Sequence, residues 1–275
     1  MNVVLRWVLC LAAVGLCYPP KPAQASASQQ RRVPHLRRPG TSSCRAEYVR
    51  VTRGVQHTAC KPPNPQCRIR DSGVTRAEMQ LIMRMHNRMR SLVAIGRLPG
   101  FPPAANMRKL YWHPELAAVA QAHANQCMSE SDHKHDHAQA RTTVTFDSVG
   151  QNALWEANNY DKSKRVWHVH MRNWFAEHRS CPVKTIDSFR ARGDGVRIGH
   201  FTQLVWADTQ YIGCGYSYYT LDGVEGDRKY QSFYVCNYAP TGNVFSMPVY
   251  QAGPPCSSCP EGLVCDRFSG LCAIP

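Results

Sequence analysis

Thirteen cysteines spread over 275 residues constrain this chain more than any other feature. They follow or lie within an apolar leader, MNVVLRWVLCLAAVGLC, in which Arg6 precedes an apolar run from Trp7 to Cys17. That run is too short to span a bilayer and has the character of a secretory signal peptide. Ala23-Gln24-Ala25 offers a small-x-small cleavage site, so residues 1–25 are expected to be a signal peptide and the chain to be secreted and extracellular. Disulfides persist in that compartment. Cleavage would remove Cys10 and Cys17 and leave an odd number of cysteines, hence one thiol over. No later segment has transmembrane character.

Thirty-three Lys and Arg stand against nineteen Asp and Glu, a formal net charge of +14 that favours anionic surfaces. The excess is spread along the chain, apart from Arg31, Arg32, Arg37 and Arg38, and forms no helical basic stripe. The pattern therefore excludes a nucleic-acid binder.

Residues 26–74 read as a basic linker followed by a stretch bearing Cys44, Cys60 and Cys67, with little periodicity. Thr75-Arg76-Ala77-Glu78 is a capping box, and Ile82, His86, Met89 and Val93 fall on one helical face before Gly96. His86 is expected to point inward as a structural histidine. His113-Pro114 opens a second helix, striped by Leu116, Ala120, His123 and Cys127. A third, from about residue 163 to His178, places Trp167, His170, Trp174 and Glu177 on one face, so Glu177 is either a salt-bridged edge residue or a pocket group.

Two aromatic, alternating runs, YIGCGYSYYTL and KYQSFYVCNYA, flank an Asp- and Gly-rich turn and read as a hairpin with Cys214 and Cys236 across it. The tail, residues 251–275, carries Cys256, Cys259, Cys265 and Cys272 among Pro and Gly, enough for two bridges but not for a core.

Between the second and third helices, SESDHKHDHAQA holds His133, His135 and His137 at alternate positions. Spacing of that kind suits a metal on a strand face, or a polar loop. A partner stands in GHFTQLVW, where His200 precedes the hairpin. This block, with FYVCNYAPTGN, HNRMR and GQNAL in the same order over residues 75–250, resembles the CAP superfamily: the cysteine-rich secretory, antigen 5 and pathogenesis-related 1 proteins. HTACKPPNPQC, PAANM and AHANQC resemble its arthropod venom allergen 5 branch.

The resemblance implies an α+β fold, a three-layer α-β-α sandwich with a groove holding two histidines and two acidic residues. Carried over, His200 is the second histidine, Glu177 the acid on the third helix, and Gln151 stands where many members have Glu. His135, followed by Asp136, fits the first histidine best, with His133 and then His137 as alternates. Two imidazoles and Glu177 could hold Zn²⁺ weakly, Gln151 being a poorer oxygen ligand than Glu. The competing reading is a water-filled polar cavity. The resemblance also implies pairing of Cys44 with Cys60, Cys67 with Cys127 and Cys214 with Cys236, leaving Cys181 over as a free thiol or an intermolecular bridge. A further disulfide of the branch falls near Tyr48 and Ala138 and is absent here.

As function, the resemblance implies a secreted, non-enzymatic binding protein that captures small hydrophobic molecules or engages host proteins. Arg192-Gly193-Asp194 in a Gly-flanked polar segment adds integrins as a partner class. The alternatives are an extracellular hydrolase using His135, His200 and Glu177, and a lipid or sterol carrier. No GxSxG or HExxH sequence supports the hydrolase, and Thr202 belongs to a motif that uses it for turn packing.

Overall fold

The two aromatic runs build the centre of the molecule. β4 (Tyr211–Leu221) and β5 (Tyr230–Ala239) pair antiparallel with Cys214 opposite Cys236, and β3 (Gly150–Asn158) pairs with the other edge of β5. β1 (Cys67–Ser72) lies antiparallel to the far end of β4, and the short β2 (Tyr111–Trp112) runs parallel to its beginning. This computed structural model describes residues 44–275 except Arg53, Glu130, Asp132, His133 and Lys134. The expected signal peptide, the early arginines and His133 lie outside the described residues.

Alternation along β5 sorts the two faces of the sheet. Tyr234, Cys236 and Tyr238 join a core made with α2 (Arg76–Ala94), α4 (Trp167–Ala176) and α5 (Gly199–Leu204), through Ile82, Val93, Trp167, Met171 and Phe201. Phe233 and Val235 face the opposite way, against Ala120 and Ala124 of α3 (Pro114–Ala124). The result is the α-β-α sandwich. β4 and α3 meet backbone to backbone: a Cβ on Gly213 would stand 2.1 Å from the Ala117 nitrogen, and one on Gly215 2.3 Å from that of Gln121. Only glycine permits that approach.

α2 begins at the capping box, with the Thr75 hydroxyl accepting from the Glu78 N–H and Glu78 Oε2 accepting from the Thr75 N–H. His86 is fully buried; its Nδ1–H donates to the Ile82 carbonyl and its Nε2 accepts from the Tyr238 hydroxyl. α4 starts at Trp167, later than the apolar period predicts. Arg165 lies in the left-handed region at φ 45°, its guanidinium bound to Asp71 and Glu78, and Ser163 bonds the Tyr216 hydroxyl. These ties hold the segment out of the helix.

The amino-terminal stretch forms α1 (Ala46–Val51), which its sequence period did not announce, and fastens onto the loop after α3. Tyr48 stacks on His57 at 4.0 Å, His57 Nε2–H donates to the Thr142 carbonyl at 2.8 Å, and the Thr58 hydroxyl donates to Asp136 at 2.7 Å. Disulfides join Cys44 to Cys60, Cys67 to Cys127, Cys214 to Cys236, Cys256 to Cys265 and Cys259 to Cys272. Cys181 is free and buried. The tail folds into the hairpin β6 (Val264–Asp266) and β7 (Leu271–Ala273), docked against Met107 and Lys109 by backbone hydrogen bonds from and to Cys272. Among the described residues no helix is long and apolar enough to cross a membrane.

Candidate functional site

α4 ends at Ala176, and Glu177 opens a single 3₁₀ turn that aims its carboxylate at the start of α5. Oε1 accepts from His200 Nδ1 at 2.6 Å, while Oε2 accepts the backbone N–H groups of His200 at 2.9 Å and Phe201 at 3.2 Å. Trp174, three residues before Glu177, stacks on the His200 ring at 5.6 Å and 16°. A carboxylate on Nδ1 fixes the tautomer: the proton sits on Nδ1 and the Nε2 lone pair is left available.

The first histidine is held by the same logic with different groups. Gln151, second residue of β3, donates its amide to Asp136 Oδ1 at 3.0 Å and Asn237 Oδ1 at 2.9 Å. Two acceptors on the amide nitrogen settle its orientation, so Oε1 accepts from His135 Nδ1 at 3.0 Å. His135, too, is therefore an Nδ1–H tautomer with an Nε2 lone pair. Neither Nε2 has a hydrogen-bond partner among the described residues.

The electrostatics follow. Although one edge of His135 is open to solvent, the protein packed around it disfavours the cation and lowers its pKa; the Gln151 hydrogen bond opposes this, and the charges of Arg141 and His200 add to it. Burial works against the Asp136 charge, yet His123, Arg141 and the Thr58 hydroxyl outweigh it and hold the carboxyl below its usual range. Arg141 Nη1 lies 3.0 Å from Asp136 Oδ1.

His135 and His200 line one cavity of about 340 Å³ with Gln151, Asn152, Arg192, Arg197 and Asn243. Among the described residues no carboxylate lines it. Glu177 and Gln151, expected as oxygen ligands, are instead the acceptors that orient the two imidazoles, because their side-chain oxygens are already bonded to ring N–H and backbone N–H groups. His137 stands apart: exposed, it accepts from the Gln139 N–H and caps a 3₁₀ turn. Among the described residues the one trio of close metal-ligand types is Cys256, Cys259 and Cys272, whose sulfurs are committed to disulfides and cannot act as thiolates. A metal in the groove would have two neutral imidazoles from the protein and water for its remaining positions, a donor set that fits Zn²⁺.

Arg192, half-buried, lines this cavity, Gly193 and Asp194 follow it exposed, and Gly195 at φ 78° completes the turn. Its two charged side chains meet each other. Arg192 Nε lies 3.1 Å from both Asp194 oxygens, Nη2 also bonds Oδ2, and Nη1 donates to the Ser180 carbonyl at 3.1 Å. Arg192, with the Val196 N–H, holds the Asp194 carboxyl down at about 2. Burial pushes the nearby Cys181 thiol up to about 11.

Sequence reasoning brought His135, Gln151, Glu177 and His200 to one place but missed Asp136 and Asn237, which orient Gln151 from a loop and from β5. Their only signal was position, Asp136 beside His135 and Asn237 directly opposite Gln151 in the sheet register.

The pattern of the "Cysteine-rich secretory protein family" matches residues 83–238. A cysteine-rich venom protein of Tityus serrulatus is 37% identical over 238 residues, 84% of this chain and 54% of that protein. A scoloptoxin of Scolopendra dehaani is 34% identical over 206 residues, 75% of this chain and 89% of that one. The chain thus spans about half the length of the Tityus relative and most of the Scolopendra one. Among solved structures, "NaASP2 with Zn2+" superposes with a TM-score of 0.56 and 29% identity, covering 74% of this chain and all of that one.

Proposed function

Since the chain belongs to the cysteine-rich secretory protein family, a family it shares with venom proteins of arthropods, we propose that it is a secreted, non-catalytic binding protein whose groove takes Zn²⁺ on His135 and His200. The observation that carries this reading is the matched pair of Nδ1–H tautomers, which leaves two Nε2 lone pairs in one cavity. The similar structure of NaASP2, described with Zn²⁺, supports it. Zn²⁺ there would supply a Lewis-acid centre; the chain's own part is to fix the orientation of the two rings through Gln151 and Glu177. Hydrolysis is disfavoured by the same geometry. Glu177 accepts three hydrogen bonds and is no free base, no Ser, Thr or Cys among the described residues lines the cavity, and Thr202 is turned to Asn243 and the Ile198 carbonyl.

Calorimetric titration with Zn²⁺ tests the proposal, with Trp174 fluorescence as a reporter beside His200. One ion should bind, His200→Ala should abolish binding, and Gln151→Leu should weaken it by about 10- to 100-fold through loss of ring orientation. His137→Ala should change nothing. Undiminished binding in His200→Ala sinks the reading.

A second reading rests on a separate feature. α2 and α4 border a cavity of about 650 Å³ lined by Leu81, Met85, Met89, Leu92 and Phe175, with Arg88, His168 and Arg172 also in its wall. Apolar walls with cations suit a small acyl or sterol-like ligand bearing an acid group. Mass spectrometry of lipid extracted from natively purified protein tests it; an extract empty of such lipid, with no uptake of added fatty acid, counts against it.

A further inference from the structure

The tail hairpin carries an aromatic side chain that nothing above uses. Phe268, between β6 and β7, is as exposed as in an extended chain. Its turn is nonetheless rigidly built. Asp266 accepts the backbone N–H groups of Phe268, Ser269 and Gly270, and its carboxylate also binds Lys109 at 3.1 Å. The Ser91 hydroxyl of α2 donates to the Ser269 carbonyl at 2.7 Å, and two disulfides tie the strands to the preceding segment, Cys265 to Cys256 and Cys272 to Cys259. An exposed Phe on a mobile loop costs little; one presented by a braced turn is held ready for an apolar environment.

Its surroundings are cationic. Phe268 borders a cleft of about 410 Å³ lined also by Met83, Arg84, Arg88, Lys109 and Leu271, and among the described residues no carboxylate lines it. Arg84 and Arg88, one helical turn apart on α2, and Arg267 beside Phe268 are exposed, and their guanidinium groups make no ion pair or hydrogen bond among the described residues. Free guanidinium groups next to a fully projecting aromatic ring match the two layers of a membrane surface, phosphates outside and acyl chains beneath.

We propose that this face docks the protein on anionic lipid membranes, with Phe268 entering the acyl layer and Arg84 and Arg267 meeting headgroup phosphates. Binding is peripheral and reversible, and independent of the histidine groove.

Co-sedimentation with vesicles of phosphatidylcholine, alone or mixed with phosphatidylserine, tests it. The full protein should bind the mixed vesicles and not the neutral ones. Phe268→Ser should weaken binding about tenfold or more, a change that disturbs no packed contact. Arg84→Glu and Arg267→Glu should each weaken it by at least about fivefold, the equivalent of about 1 kcal/mol per basic side chain. Arg88 is left unchanged because it also borders the α2–α4 cavity. Absence of wild-type binding, or equal binding of wild type and Phe268→Ser, overturns the proposal, the latter in favour of diffuse charge attraction. Binding to polyglutamate with the same dependence on Phe268 and none to vesicles overturns it in favour of an acidic protein segment.

Discussion

Arg90 shows how one side chain organises a region that has no regular structure. It is fully buried and spends all five N–H groups on backbone carbonyls: Arg108 through Nε, Leu204 and Trp206 through Nη1, Ala207 and Thr209 through Nη2. Burial, with the charge of Arg108, pulls its pKa down to about 9. Lys has three donors and no fork, so Arg90→Lys cannot replace it. Arg90→Met should cost about 4 kcal/mol by orphaning buried acceptors, read as a lower urea midpoint. Sequence placed Arg90 in a family block but could not assign its role, because its acceptors come from segments far along the chain. The integrin partner expected from the sequence also depends on side chains: recognition requires Arg192 and Asp194 to leave each other, and an attachment assay in which wild type and Asp194→Glu inhibit equally would reject it. Cys181 should behave as an inert thiol. At pH 8 iodoacetamide should label it far more slowly in native protein than in urea, since its pKa of about 11 leaves little thiolate.

Elements that carry their own period were legible, and those defined by their neighbours were not. The α2 capping box, the α3 start at Pro114 and the β4–β5 hairpin follow from local pattern. β1, CRIRDS, alternates apolar and charged residues only over Cys67 to Arg70, too short a run to announce a strand, and becomes one because β4 offers an unpaired edge. The first residues expected in α4 are diverted by Arg165 and Ser163, whose partners, Asp71, Glu78 and Tyr216, cannot be inferred from their spacing. The site divides in the same way: residue types pointed to His200 and Glu177, but which oxygen serves which nitrogen depends on the packing of α4 against α5. The contact of β4 with α3 makes a sharp prediction. Gly215→Ala drives a methyl group into the Gln121 backbone and should lower stability by about 3 kcal/mol, measured by denaturant unfolding, while Gly223→Ala in the open hairpin turn pays only for its φ of 81°.

At the scale of the whole molecule, acid should be destabilising well above the carboxylate range. His57 and His135 have pKa values lowered chiefly by burial, and His86 is brought down to about 4. In each case the unfolded chain, titrating near 6.5, binds protons that the folded chain refuses, so stability falls as pH drops below about 6.5. For His86 the loss reaches about 3 kcal/mol by pH 4, from 1.36 kcal/mol per pKa unit. Asp136, whose pKa is depressed, adds a further loss as pH falls through its folded value, below 3.8. Thermal midpoints across this range should decline steadily, and His86→Gln should flatten the decline even if it lowers the plateau.

The attachment of the amino-terminal stretch to the histidine loop has a kinetic meaning. Residues 44–60, braced within by the Tyr48–His57 stack, meet residues 136–142 through two hydrogen bonds, and among the described residues no disulfide joins the two stretches. A cross-link would make release of that loop a matter of chemistry and reducing power. Two hydrogen bonds break and re-form without any reagent, so the tie between the two stretches is set by their lifetime and not by redox chemistry.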